Sequence, residues 1–393
     1  MNKQRQRTSI ELFTGAGGLA LGLERSGWHH HALIERNENA CATLRLNESR
    51  GHSLAKGWHL YAEDVRKITY KDVCGPVDMV AGGPPCQPFS LGGKHGAYQD
   101  RRDMFPEAVR AVRELRPQCF VFENVKGLLR QSFAGYFQYI ILQLTYPDLK
   151  KKEGEAWQSH LARLERHHTG GRVSDLCYRV VYRLLDAADY GVPQHRHRVF
   201  IVGFRSDLHR EWSFPNPSHS LDRLLWDQWV SMSYWEEHRI AKKHRPQKPD
   251  RHRTHIERLQ AEHSLIPPAG KRWLTVRDAL RGLPDPRSGG GSVLNHEFKG
   301  GARPYPGHTG SVLDAPSKAL KAGDHGVPGG ENMIAFPNGE YRYYTVRESA
   351  RVQTFPDDYV FSGSWTEAMR QLGNAVPVTL AAMVGDSILT QAG

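Results

Sequence analysis

Several absences narrow the field at once. The 393 residues hold only five cysteines (Cys41, Cys74, Cys86, Cys119, Cys177), an odd number with no C-x-x-C pair. That spacing argues against both a zinc site and a disulfide framework, and it suits a reducing cytoplasm. No apolar run approaches the roughly 20 residues of a membrane span. The first eight residues are polar and basic, without the apolar core of a secretory signal. No internal repeat is found. Acidic residues are in deficit, 42 Asp and Glu against 53 Lys and Arg, for a net charge of +11. This excess suits a polyanionic partner, although solubility alone accounts for it equally well. The length allows two domains, or one large domain with an insertion.

What the chain does have is concentrated first in Ala81-Gly82-Gly83-Pro84-Pro85-Cys86-Gln87-Pro88-Phe89-Ser90. The apolar run 77–81, broken only by Asp78, predicts a buried parallel strand. Two glycines and two prolines halt it and stiffen the turn. Cys86 is thereby expected at the carboxyl edge of a sheet, where open α/β folds bind their ligands. Gly92, Gly93 and Gly96 follow in a polar stretch that reads as a mobile loop, so the arrangement is that of a nucleophile with a lid. An isolated cysteine is usually a small buried apolar residue. A core cysteine needs no Pro-Pro scaffold, however, and the reactive reading is preferred.

Other segments supply the expected partners. Residues 10–13 predict a first strand, followed by Thr14-Gly15-Ala16-Gly17-Gly18-Leu19, a tight turn that lets a ligand approach the backbone. The apolar run 32–34 ends in Glu35, placed to take the ribose hydroxyls of a nucleoside cofactor. Asp64, followed by Val65, stands where a third strand should end and faces the adenine edge. The spacing F-x-G-x-G-G is not the G-x-G-x-x-G of a dinucleotide-binding dehydrogenase. A helix is predicted from about 100 to 115, with Pro106 in its first turn. Residues 119–122 form the next buried strand, and Glu123 follows at its carboxyl edge. Residues 148–174, dense in charge, read as an exposed insertion with a solvated face. Strands are also predicted over 178–185 and 198–204. Between them, Gln194-His195-Arg196-His197-Arg198 would, by strand alternation, point both arginines to one side.

Periodicity fades from 205 to 344, where Trp, His, Pro and Gly accumulate. Residues 238–258 carry eight Lys or Arg against two acids, and basic residues mixed with aromatics suit a nucleic-acid face. Lys318, Lys321 and His325 lie in a glycine-punctuated stretch that could enter a groove. Regularity returns with helices predicted at 345–354, 365–372 and 377–389.

These motifs, in this order, resemble those of the DNA (cytosine-5)-methyltransferases of prokaryotic restriction-modification systems. The resemblance rests on Phe13-x-Gly15-x-Gly17-Gly18, Glu35, Asp64, Pro84-Pro85-Cys86-Gln87, Glu123-Asn124-Val125, Gln194-x-Arg196-x-Arg198, Arg347-Glu348 through Phe355-Pro356, and Gly373-Asn374. It implies an α/β fold, a Rossmann-like sheet binding S-adenosyl-L-methionine (AdoMet) with a smaller target-recognition domain. The domains would be 1–204 (with the 148–174 insertion), 205–344, and 345–393 returning to the first. AdoMet would lie against Phe13, Gly15, Gly17, Gly18, Leu19, Glu35, Asp64, Val65, Pro85, Asn374 and Val376. Catalysis would fall to Cys86 as nucleophile, to Glu123 carrying or sharing a proton with the base, and to Arg196 orienting it. DNA would be met by Ser90, Arg198, Lys318, Lys321 and His325, with Arg198 near a phosphate. No metal is implied. The partner would be double-stranded DNA, with a cognate restriction endonuclease acting separately on it, and the protein would be a cytoplasmic monomer. The rival readings are a transfer-RNA cytosine methyltransferase on the same fold and a non-catalytic DNA reader. The large basic 205–344 region and the missing Cys-Phe-Thr tripeptide weigh against the first. The intact Cys86, Glu123 and Arg196 weigh against the second.

Overall fold

Short apolar runs punctuated by glycine and proline become the strands of one sheet. They are β1 (Arg7–Leu12), β2 (Trp28–Ile34), β3 (Leu60–Tyr61), β4 (Met79–Gly82), β5 (Cys119–Val125), β6 (Tyr178–Asp186) and β7 (His197–Arg205), in the order β3-β2-β1-β4-β5-β7-β6. The computed structural model describes residues 6–73, 75–85, 103–171, 174–323 and 332–392. Strands β3 to β5 in this order pair in parallel, and β7 runs antiparallel to β5. Leu12 pairs with both Ile34 and Gly82, and Gly82 pairs with Phe122, so the carboxyl ends of four strands share one edge. Met79, Val80, Ala81 and Phe120 to Phe122 are fully buried, as expected where helices cover both faces of a parallel sheet.

Helices α1 (Gly18–Arg25), α2 (Glu38–Ser49), α3 (Tyr70–Val73), α4 (Phe105–Leu115), α5 (Ala134–Thr145) and α6 (Trp157–Thr169) belong to the unit built on this sheet. Their starts are written locally. The side chain of Asn37 accepts from Ala40 N to cap α2, and Pro106 occupies the first turn of α4. The 148–174 segment is not the solvated run its charge predicted. Helix α6 buries Leu164, and its Trp157 ring packs at 5.5–5.6 Å from Tyr136 and Tyr139 of α5. His160 is buried and bonds to Tyr139 Oη (2.9 Å) and to Leu149 O. Burying one leucine contributes about 1.5–3 kcal/mol, so a few apolar residues at helical spacing outweigh many surface charges.

The chain divides into two compact units, 1–185 with 197–215 and 381–393, and 186–196 with 216–380. This differs from the boundaries read from the sequence, because residues 345–380 pack within the second unit. That unit contains β8 (His219–Ser220), β9 (Lys271–Arg272), β10 (Ser311–Val312), β11 (Met333–Ala335) and β12 (Tyr341–Tyr343). Its helices are α7 (Leu221–Trp229), α8 (Ser233–Glu237), α9 (Arg253–Glu262), α10 (Val276–Leu280), α11 (Val346–Val352) and α12 (Trp365–Asn374). Val276 of α10 and Val352 of α11 share an apolar cluster with Leu320, Ile334 and Tyr344, which ties 345–352 to the middle region. Helix α13 (Val378–Ala392) closes the chain, with Trp28 Nε1 donating to Gly385 O in the first unit. By length and composition the run Trp365–Gln391 could cross a membrane, but it is interrupted between α12 and α13 and most of its apolar window is buried in protein.

Candidate active site

At the carboxyl edge the strand order reverses between β1 and β4, the position at which open α/β sheets form a ligand crevice. The turn after β1 has left-handed backbone at Phe13 (φ 58°), Gly15 (φ 56°) and Gly17 (φ 84°). A Cβ on Gly15 would meet nothing within 4 Å, so glycine here serves the backbone conformation and leaves the space above it open. Glu35 at the tip of β2 accepts from Gly15 N through Oε2 (2.7 Å) and from Asn37 N through Oε1 (2.7 Å). This fixes the carboxylate while Oε2 keeps a second lone pair. Asp64 accepts from Arg66 Nη2 and, at 3.1 Å, from Arg36 Nη1. The Arg66 guanidinium, followed by the Arg66 backbone N–H and Arg36, holds this carboxyl well below its ordinary range despite partial burial. Gly18, Leu19 and Val65 are buried in the packing beneath, and Val65 O accepts from Arg110 Nη2 (2.7 Å).

Beside this, β4 and β5 build a second corner. Glu123 and Asn124 lie within β5 rather than after it. Asn124 Nδ2 donates to Pro84 O (2.9 Å), and a Cβ built on Gly83 would lie 3.4 Å from Glu123 Oε2. The two side chains therefore line the Gly83-Pro84-Pro85 turn that leads to Cys86. Pro85 O accepts from Met104 N at 3.4 Å. Cys86 and Ser90 themselves lie outside the described residues, as does His325.

Arg198 Nε stands 2.6 Å from Glu123 Oε1, with both side chains mostly buried. The register explains it. Arg198 pairs with Val125, and Glu123 is the diagonal neighbour on the same face of the antiparallel ladder. Burial pushes the Arg198 guanidinium below its ordinary range, and the Glu123 carboxylate pulls it back up.

The two arginines expected to act together face different partners. Arg196 does not share a side with Arg198. It lies one residue before β7, where alternation does not apply, and is 1% exposed. Its guanidinium donates to Leu320 O (2.9 Å) and Gly373 O within the second unit. Arg198, which the sequence reading set near a phosphate, faces the Glu123 carboxylate. The sequence reading also gave Asn124 no role of its own, although its place directly after an acidic residue on a strand edge was visible. In the second unit, Asn374 is exposed at the end of α12 and Val376 is buried. Lys318 and Lys321 are exposed, and Lys318 Nζ donates to Thr309 Oγ1 (2.9 Å). Glu237, His238 and Asp278 cluster at metal-ligand spacing, but Arg272 takes both Asp278 oxygens (2.7 and 2.9 Å) and Glu237 Oε2 (3.0 Å). The cluster is an ion-pair knot.

A sheet whose strand order reverses at a glycine turn, with an acidic strand tip beside it, is the arrangement at which open α/β folds place their ligands. The family model of C-5 cytosine-specific DNA methylases matches residues 7–147 and 159–390. The chain is 31% identical to the Type II methyltransferase M.PspPI of Psychrobacter sp. (strain TA137), over 98% of this chain and 79% of that protein. It is 32% identical to M.NgoMIV of Neisseria gonorrhoeae, over 98% and 97%. Among solved structures it resembles the methyltransferase EhMeth of Entamoeba histolytica (TM-score 0.56, 14% identity, covering 99% and 100%). It also resembles the Dnmt2 methyltransferase of S. pombe (TM-score 0.54, 17% identity, covering 98% and 99%). The chain belongs to the C-5 cytosine-specific DNA methylase family and is a DNA (cytosine-5-)-methyltransferase.

Proposed function

We propose that the protein methylates C5 of a cytosine flipped out of duplex DNA at a defined sequence, as the modification enzyme of a restriction-modification system. The observation that carries this reading is the buried Arg198–Glu123 pair lining the Gly83-Pro84-Pro85 turn. AdoMet fits the other corner. Open space over Gly15 and the spare lone pair of Glu35 Oε2 match a nucleoside's close approach and a ribose hydroxyl, while Asp64 would border the base with its own oxygens held by Arg66 and Arg36. When bound, AdoMet supplies an electrophilic methyl group on a sulfonium.

Cytosine C5 is too weak a nucleophile to accept that methyl unaided. Addition of the Cys86 thiolate to C6 makes C5 enamine-like, and the new electron density moves toward N3 and O2. Glu123 faces N3 and the N4 amino group, where it holds or shares the proton that relieves this charge. Arg198, fixed on Glu123, is the residue that donates to O2, in place of Arg196. After C5 has taken the methyl, loss of its proton and elimination of the thiolate restore both the aromatic ring and Cys86. A stacked base cannot reach such a corner, which is why the nucleotide must leave the duplex. Residues 205–344, basic and loop-rich, carry sequence choice. The relatives' designation as Type II methyltransferases supports the assignment to restriction-modification.

The test is trapping on duplex DNA containing 5-fluorocytosine with AdoMet present, where fluorine cannot leave as a proton does. A denaturation-resistant complex is expected with wild type and none with Cys86→Ser. Trapping at a different cysteine, or on transfer RNA but not DNA, overturns the reading.

A further inference from the structure

Within the second unit, residues 305–308 form an exposed turn closed by a single antiparallel bridge. Tyr305-Pro306-Gly307-His308 has proline at the second position and glycine at the third with φ 82°, the requirements of a type II turn. His308 N donates to Tyr305 O (2.8 Å) and Tyr305 N to His308 O (3.3 Å), closing the bridge. Pro304 and Pro306 fix the backbone on both sides of Tyr305. At the base, Gly310 (φ 69°) leaves room for only a hydrogen, since a Cβ would lie 3.2 Å from Met333 O. The chain then enters β10, which pairs with β11. The turn is therefore anchored to the fold.

Its tip holds two rings side by side. The Tyr305 and His308 centroids are 4.2 Å apart at an interplanar angle of 31°, while Tyr305 remains 48% exposed. Tyr305 is exposed while the His308 ring beside it is half-buried, so one ring is held against a partner and the other faces outward. Holding one ring against the other on a proline-stiffened turn removes conformational freedom before a partner arrives, and preorganisation of this kind favours binding. The surroundings give the partner's sign. Lys299 and Arg303 lie on the same segment, Lys318 Nζ is held on Thr309 beside the turn, and no acidic residue lies between 298 and 313. A narrow exposed turn is small enough to enter the roughly 12 Å major groove, and a phenol can donate to or accept from a base edge.

We propose that Tyr305 is a specificity-determining residue that reads one base pair of the recognition sequence from the major groove, with His308 as the positioning residue bracing its ring. This rests on the DNA-methylating function proposed above. The Tyr305 hydroxyl makes the reading contact, and the His308 ring holds it in place.

The experiment methylates a random-sequence duplex library with the full chain and reads modified sites by bisulfite sequencing. Wild type gives the reference profile. Tyr305→Phe, which removes only the hydroxyl, should reduce discrimination at one position by roughly ten-fold and leave the other positions sharp. His308→Ala should blur the same position, and His308→Phe, which restores a stacking ring, should recover it. That recovery separates bracing from general loosening of the unit. An unchanged profile in Tyr305→Phe and Tyr305→Ala overturns the inference. So does a uniform loss at all sites with a flatter salt dependence, the mark of a phosphate contact. Failure of wild type to modify duplex DNA would overturn the proposed function itself, and is read from the reference arm alone.

Discussion

The two units are held together by different physics. In the first, strands fully buried on both faces carry the weight, with Met79, Val80, Ala81 and Phe120 to Phe122 out of contact with water. The second has small apolar clusters and many irregular segments, and arginines bind those segments by their carbonyls. Arg347 donates to Leu294 O, Pro356 O and Tyr359 O, and Arg196 to Leu320 O and Gly373 O. Arg342 and Glu348 form a bidentate buried pair at 2.7 Å. A loop without strand partners leaves its carbonyls needing donors, and a guanidinium offers five in one plane. The contrast separates two nearby arginines by where their partners lie. Arg196 meets carbonyls, whereas Arg198 meets a carboxylate at the ligand edge.

The contrast breaks most sharply if the chemistry does not follow Glu123. Glu123→Gln should lower methyl transfer in single-turnover assays by about 10²–10⁴-fold, the range for losing a positioned acid or base. The assay is run at a temperature where the variant is folded, since leaving the buried Arg198 charge unpaired also costs stability. An activity within a few-fold of wild type would detach the Arg198–Glu123 corner from catalysis. Arg196→Met should do the reverse. It leaves two buried carbonyls without donors and costs about 2–4 kcal/mol of stability, read by denaturant unfolding. Covalent trapping at a temperature where the variant is folded should survive. Loss of trapping in the folded variant would return Arg196 to the active site.

Glu35→Ala should weaken AdoMet binding by about 1.5–3 kcal/mol, the worth of a hydrogen bond to a charged group. DNA affinity measured without cofactor should stay the same. Equal AdoMet affinity by calorimetry would remove Glu35 from the cofactor corner.

The smallest effect concerns pH. Burial drives the Glu11 carboxyl on β1 well above 4.5, and burial lowers His30 on β2 to about 3. The unfolded chain releases the Glu11 proton above about pH 4.5 while the folded chain keeps it, so stability from this group falls as pH rises. For His30 the sign is opposite. Between about 3 and 6.5 the unfolded chain binds the proton and the folded chain does not, so stability rises with pH. The two offset between about 4.5 and 6.5, and Glu11 alone remains above that. Glu11→Gln, which mimics the protonated acid, should therefore flatten the decline of melting temperature with rising pH above 6.5. An unchanged slope would assign the decline to other groups.

Much was legible in the linear chain because its causes are local. Gly82 to Pro85 stop a strand wherever they occur, Pro106 opens a helix, and Gly15 and Gly17 permit a left-handed turn that other residues resist. Buried parallel strands appear as apolar runs, so β1, β2, β4 and β5 were readable, as were Glu35 at one tip and Glu123 near another. The tertiary structure decided what depends on partners distant in sequence. Alternation predicted a shared side for Arg196 and Arg198, but β7 begins at His197, and its antiparallel register against β5 brings Arg198 diagonally to Glu123 while Arg196 falls among carbonyls from 320 and 373. The charge of 148–174 concealed Leu164 and Trp157, whose spacing matters only once α5 lies alongside. Residues 345–380 joined the second unit because Val352 found Val276 and Leu320. Each of these outcomes is a long-range packing or register choice, which local propensity does not encode.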